Sequence, residues 1–212
     1  MSRIQLIWLS VGVIYAAFFG WYTSSQGPLS GEEIERYMDF FESSDRDPQA
    51  LANVRRFLEG DTGDDFAMLN VLDFYDRPLQ LPGVAPTDSS YDVMDKYAQH
   101  MMPALLARAS HPVFLGTAVS EALELHNTPG MARWDQGAIV RYRSRRDLME
   151  IVIDPAFSQP HDFKLASLQK TMAYPLDPWF QLGDPRLVLA LLLIVLALGL
   201  TLKEVLRRHA AR

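Results

Sequence analysis

Two long apolar runs frame the chain. Ile4 to Tyr22 holds 19 residues without a charge, the length a helix needs to cross a bilayer. Leu187 to Leu202 adds 16 apolar or small residues and reads as a second, shorter span. Trp179 and Phe180 just upstream are expected to let its helix start before Asp184 and Pro185. Between the runs the pattern turns amphipathic. Ser30 with Glu33 three residues on is a capping box, and Ile34, Tyr37, Met38 and Phe41 then fall on one helical face. Asp47-Pro48 supplies an N-cap and first-turn proline for a second helix facing inward with Leu51, Val54, Phe57 and Leu58, and ending at Gly60. Asp61 to Asp65 is a turn; it has calcium-loop composition without the spacing or distal Glu of an EF-hand.

Beyond that turn the period changes to two. Phe66 to Tyr75 alternates, with Met68, Asn70, Leu72 and Phe74 on one face and Leu69, Val71 and Asp73 on the other. A proline-rich loop, residues 77–90, leads into a helix over Tyr91–Ala109, with Pro103 a kink. Strands are predicted for Pro112–Val119 and Trp134–Tyr142, with Glu121–Leu125 extending the first. Ser144 caps a helix through Ile153. A last amphipathic stretch, Phe163–Met172, precedes a terminal extended segment. The order is β-α-β-β-α-β, an α+β ferredoxin-like unit.

Composition narrows the field of functions. The 212 residues contain no cysteine, which removes disulfides, a thiol nucleophile and thiolate zinc sites. A net charge of −6 argues against a nucleic-acid partner, because such binders need a basic face. Charge also orients the spans. Arg3 precedes the first, and Lys203, Arg207, Arg208 and Arg212 follow the second, whereas residues 27–202 hold 15 basic against 25 acidic residues. Basic flanks stay on the cytoplasmic side. The expectation is a two-pass protein of the inner (cytoplasmic) membrane with both termini cytoplasmic and a periplasmic central domain. Trp21, Tyr22, Trp179 and Phe180 would form its outer aromatic belt. A cleaved signal peptide fits less well: the first run exceeds a signal core, and Thr23-Ser24-Ser25 is a poor cleavage site. Within that run, Gly12, Ala16 and Gly20 lie on one face, where another helix can approach closely; span two of the same chain is one partner to consider. Span two offers Ala190, Ala197, Gly199 and Thr201 in a looser pattern.

The segment from about Asp64 to Pro178 resembles a known family. Met68-Leu69-Asn70, Trp134-Asp135, and Arg141-Tyr142-x-Ser144-Arg145 followed by Asp154-Pro155 look like an uncharacterised family of the dimeric α+β barrel superfamily, which also holds the EthD-like proteins and cofactor-independent monooxygenases. The sequence departs from that pattern at Arg143 and Lys164, and in its two spans. The resemblance implies a ferredoxin-like fold and a homodimer, with a pocket between sheet and helices. It implies no established reaction and no cofactor. The resulting division is an anchor at 1–26, a helical hairpin at 27–62, a barrel-like domain at 63–178, and a second span with a basic tail at 179–212.

Candidate polar groups for such a pocket are Asn70, Tyr97, His100, Trp134, Arg141 and His161, together with Asp135 and Lys164. Asn70 would either tie down a neighbouring loop or bind a ligand carbonyl. Arg141 shares a strand face with Asp135, so an Arg141–carboxylate pair is the plain structural account. The five histidines show no metal-ligand spacing, and no phosphate loop or nucleophile elbow is present. The expected function is therefore a non-catalytic accessory or assembly subunit of a larger membrane complex. The alternative is an enzyme or binder for a hydrophobic small molecule such as a quinone or lipid.

Overall fold

A computed structural model of the chain describes residues 1–44 and 47–211. Arg212 of the basic flank and residues 45–46 of the hairpin segment lie outside the described residues. The chain divides into two compact units, Met1–Ser25 with Trp179–Arg212, and Gln26–Pro178.

In the first unit, α1 (Arg3–Tyr22) and α7 (Pro185–Ala210) are each long and apolar enough to cross a membrane. Ser2 and Gln5 close a capping box at the start of α1. Asp184 caps α7, whose first residue is Pro185. The second helix thus starts later than Trp179 and Phe180 suggested, because the Asp184-Pro185 pair is itself a strong start signal, and it runs on through the basic tail. Arg3 lies 3.9 Å from Glu204, and the Arg186 guanidinium sits 5.6 Å over the Tyr22 ring. The start of α1 therefore meets the end of α7, and the pair is antiparallel.

The contact face of this pair is not the glycine stripe. On α1 the covered positions are Ile4, Ile7, Val11, Tyr15, Phe18 and Tyr22, and on α7 they are Ala190, Leu193, Ala197, Thr201 and Glu204. Both sets recur at three- and four-residue spacing, so the side chains of α1 meet a face of α7 on which Ala190, Ala197 and Thr201 alternate with Leu189, Leu193 and Glu204. Ala197 is fully covered. Gly12, Ala16 and Gly20 face outward, and a Cβ built on Gly12 or Gly20 meets nothing within 4 Å.

The second unit begins with α2 (Gly31–Glu42) and α3 (Pro48–Glu59), started by the expected Ser30 box and Asp47 cap. Four strands follow: β1 (Phe66–Phe74), β2 (His111–Thr117), β3 (Gln136–Tyr142) and β4 (Leu168–Leu176). They form one sheet in the order β2-β3-β1-β4, every neighbouring pair antiparallel. Helix α4 (Ser90–Ala107) connects β1 to β2, while α5 (Arg145–Val152), a 3-10 turn at Pro155–Phe157 and α6 (Ser158–Ser167) connect β3 to β4. Pro103 is accommodated inside α4.

Several boundaries differ from the sequence pattern. The helix expected over Phe163–Met172 ends at Ser167, and β4 takes Leu168 onward. Its alternate residues Lys170, Met172, Tyr174 and Leu176 pair in register with Asp73, Val71, Leu69 and Ala67, so ladder formation overrides the helical period. Glu121–Leu125 does not extend β2. Trp134 and Asp135 precede β3, although Ala118 and Ala122 still donate to the carbonyls of Asp135 and Ala132 beyond the ladder.

Registers define two sheet faces. Phe66, Met68, Leu72, Phe74, Val140 and Tyr142 point to the helices. The main core joins Phe66, Tyr142, Leu105, Leu148, Met149 and Ile151 with Tyr37, Met38, Phe41 and Leu58 of the hairpin. Helices α2 and α3 are therefore part of the same core as the sheet. The 61–65 turn fixes them: Asp61 accepts from the Leu29 N–H at 2.8 Å and from the Gly63 N–H, and lies 3.5 Å from Arg145. Gly63 has φ +84°, and a Cβ there would fall 2.4 Å from the Gly27 carbonyl carbon, so only glycine fits.

Candidate functional site

Two titratable side chains, Tyr97 and Lys164, meet in the layer between sheet and helices, and Tyr142 is buried in the same layer. Tyr142 ends β3 on the helix face and is buried against Phe66, their rings stacked 5.2 Å apart. Tyr97 projects from α4 into the cluster of Val93, Phe163 and Ala166. Lys164 on α6 places its ammonium 5.8 Å from the centre of the Tyr97 ring, within cation–π range. Burial pushes the Tyr97 phenol up to about 12 and pushes the Tyr142 phenol up as well, the latter reinforced by Tyr97. Burial also lowers the Lys164 ammonium below its usual value. Desolvation disfavours whichever form is charged, so both phenols stay protonated donors and the amine gives up its proton more readily.

The other residues singled out from the sequence lie elsewhere or are tied down. Asn70 donates to the Met68 carbonyl of its own strand at 3.1 Å, the local-anchor role. His100 is exposed on α4 with Nδ1 2.8 Å from the Lys96 carbonyl, and His161 is exposed near the start of α6. Trp134 donates from Nε1 to the Met131 carbonyl, and its ring is covered by the Lys170 ammonium at 4.5 Å. Asp135 accepts from the Phe74 N–H at 2.7 Å. Arg141 is 1% exposed, donating to Asp65 at 2.8 Å and to the Ala109 carbonyl at 2.7 Å. An Arg141–carboxylate pair does form, but with Asp65 at the entrance to β1 and not with Asp135. Register places Arg141 opposite Ala67 and His111, on the face away from the helices. It locks three chain segments together and does not reach the Lys164 group.

Of the residues named in advance, then, Tyr97 and Lys164 come together; the sequence reading had not singled out Tyr142 as a site residue. Its position was legible, since alternation from Trp134 puts it on the same face as Val140, and only its aromatic character made it look like core. An ion-pair cluster was also missed. Buried Asp73 lies 3.9 Å from Arg133 and 3.8 Å from Lys170 at the far end of the sheet.

Two surfaces complete the geometry. A groove of about 430 Å³ runs along the outside of α6, lined by Leu79, Leu81, Pro82, Gln159, Asp162, Leu165 and Ala166. The sheet face away from the helices carries Leu69, Val71, Phe114, Ile139, Met172, Tyr174 and Leu176 by register. Phe114 and Tyr174 are each 56% exposed, and Met172 and Leu176 are exposed too. Large apolar side chains thus lie open on the two edge strands, β2 and β4, flanking half-buried Leu69, Val71 and Ile139.

No protein-family model matches the sequence, and no curated protein sequence matches it. Solved structures do resemble it. A protein of unknown function from Rhodopseudomonas palustris, solved in methylated form, aligns with 66% of this chain and 96% of its own at 20% identity and a TM-score of 0.52. A second structure of that protein aligns with 65% of this chain and 97% of its own at 20% identity and a TM-score of 0.50. A dimeric protein of unknown function with a ferredoxin-like fold from Bacteroides fragilis covers 53% of this chain and 95% of its own, at 10% identity and a TM-score of 0.32. The chain thus combines an α+β domain, built on a four-stranded antiparallel sheet and sharing its fold with the Rhodopseudomonas palustris protein, and two terminal helices of membrane-spanning length.

Proposed function

We propose that the chain is a two-pass membrane protein whose exported domain pairs with a second copy through the open sheet face, as a dimeric barrel, and serves as a non-catalytic assembly subunit of a larger membrane complex. The observation that carries this reading is the apolar face of β1 to β4. Side chains such as Phe114, Met172 and Tyr174 stand exposed there where a solvated sheet would alternate to polar residues. The antiparallel α1–α7 pair supports a topology with both ends on one side, and the basic flanks favour the cytoplasm as that side. The outward stripe of Gly12, Ala16 and Gly20 is free to meet a helix of another subunit. Most of the polar residues first considered for ligand binding serve local structure instead, which fits a subunit without chemistry of its own.

Purification of the full chain in a mild detergent, followed by native mass spectrometry, tests the reading. Two copies together with a co-migrating membrane protein are expected; a lone monomer at high micromolar concentration refutes it. Topology is checked separately with a reporter that needs the cytoplasm, inserted after Gly60. It should be inactive, and activity there refutes the orientation.

A further inference from the structure

Arginines from both ends of the chain gather around one carboxylate. Glu204 of α7 is buried on the face that meets α1. Its Oε1 accepts from Arg207 Nη2 at 3.1 Å and from Arg208 Nε at 3.0 Å, and its Oε2 lies 3.9 Å from Arg3 Nη1 of α1. The carboxylate is inside and the cations are outside: the Glu204 side chain is 10% exposed, those of Arg3, Arg207 and Arg208 66%, 57% and 49%. Lys203, exposed beside them, has no acidic partner among the described residues. One negative charge therefore stands against four positive ones, in a chain whose net charge is −6. Each guanidinium carries five N–H donors. Glu204 takes one from Arg207 and one from Arg208, and Arg3 approaches it without a hydrogen bond, so most of the donors stay open. Like charges gathered this closely repel one another unless a further anion joins them.

Position narrows the class of that anion. Arg3 directly precedes the uncharged run of α1, and Lys203 directly follows Leu202, where the apolar run of α7 ends. Because the two helices are antiparallel, these charges share one end of the pair, just outside its apolar length, which is the level of lipid phosphates. Leu202, Val205 and Leu206 are exposed among the basic residues of the same turns. Apolar surface for an acyl chain and donors for a phosphate thus lie side by side, whereas a soluble acidic peptide would use the donors alone. We propose that Arg3, Arg207 and Arg208 bind the phosphate of an anionic phospholipid, with Lys203 adding charge and the neighbouring leucines meeting its acyl chain. Guanidinium forks match phosphate oxygens, and basic clusters immediately outside a membrane helix attract anionic lipids. Glu204 holds the heads together from two helices, so that a bound lipid also ties the start of α1 to the end of α7. This inference rests on the two-pass reading and is independent of the dimer and of any partner subunit.

The test uses the full chain in an uncharged detergent with two probes, dioleoylphosphatidylglycerol and dioleoylphosphatidylcholine, which share phosphate and acyl chains and differ in net charge. Native mass spectrometry should show phosphatidylglycerol retained in preference to phosphatidylcholine. Combined Arg3→Gln, Arg207→Gln and Arg208→Gln should weaken that retention at least tenfold, while Arg77→Gln, at an exposed arginine of the second unit, should leave it unchanged. In the wild-type chain, with no variant needed, phosphatidylglycerol should raise the melting temperature more than phosphatidylcholine does. Equal retention of the two lipids by wild type, or equal retention of phosphatidylglycerol by wild type and the triple variant, overturns the proposal. Displacement of the lipid by millimolar inorganic phosphate or by polyglutamate also overturns it, assigning the cluster to a free anion or to an acidic protein. Alkaline carbonate treatment of vesicles carrying the wild-type chain separates the two readings: release refutes the two-pass anchor, whereas a chain that stays in the membrane and shows no lipid preference refutes the lipid site alone.

Discussion

Replacing Arg146 with Met removes the fastening between the start of the second unit and α5. Arg146 Nε and one terminal nitrogen reach the two Glu33 oxygens at 2.6 and 3.1 Å, and the guanidinium also donates to Gln26 and to the carbonyls of Gly27 and Pro28. The hydrogen bond from Arg146 is the main reason the Glu33 carboxyl is drawn from an ordinary 4.5 to about 2, with burial opposing and Ser30 assisting. Taken whole, a shift of that size corresponds to about 3.5 kcal/mol, at about 1.4 kcal/mol per pH unit. The Glu33 side chain is 28% exposed, and Ser30 remains in the variant, so screening and the surviving cap reduce the expected loss to about 1–2 kcal/mol. Because the folded pKa lies below the unfolded one, this stability is complete above about pH 4.5 and disappears as pH falls toward about 2. Thermal unfolding of wild type and Arg146→Met, measured from pH 7 to pH 3, should show a gap that is full at pH 7 and narrows steadily below pH 4.5. No gap at pH 7, or a gap unchanged at pH 3, refutes the reasoning.

Arg141→Met should be more severe, about 3–5 kcal/mol in a denaturant titration, because Asp65 and the Ala109 carbonyl lose a buried partner together. In the anchor, Ala197→Leu should loosen the α1–α7 pair and lower its thermal stability in detergent, since Ala197 has no free surface. Gly12→Leu with Gly20→Leu should leave that pair intact and instead release any co-purifying subunit; unchanged co-purification would mean the stripe faces lipid. Phe114→Lys with Tyr174→Lys should convert the dimer to monomer by native mass spectrometry without lowering the monomer's melting temperature, because both side chains are half exposed within one chain.

Elements with their own punctuation were readable from the sequence. Ser30 with Glu33, Asp47-Pro48 and Ser144 each announce a helix locally, and α2, α3 and α5 start where they say. The failures came where a distant partner decides. Leu168–Met172 continues an amphipathic period, and only pairing with β1 makes it a strand. Trp134 and Asp135 look like strand residues and fall just outside β3, although the Asp135 backbone still bonds to Leu72 and Ala118. The same holds for the site. Arg141 attracted attention as a charge in an apolar strand, yet its partners, Asp65 and Ala109, are far away in sequence. Tyr142 attracted none, since a tyrosine on a core-facing position gives no sign of whether its hydroxyl finds a partner.

The unequal shapes of the α1–α7 contact bear on how such a chain is made. With the topology proposed above, α1 is synthesised first and must wait in the bilayer while roughly 160 residues of domain are made and exported, on the order of ten seconds or more at ordinary elongation rates. During that interval its future contact face, Ile4, Ile7, Val11, Tyr15 and Phe18, is turned to acyl chains, and bulky apolar side chains tolerate this well. The small residues that would leave a rough, poorly packed surface, Ala190, Ala197 and Thr201, all belong to α7 and arrive last, when their partner is already in place. The small positions of the contact thus sit on the helix that is made last, where Leu189 and Leu193 beside them supply the remaining bulk.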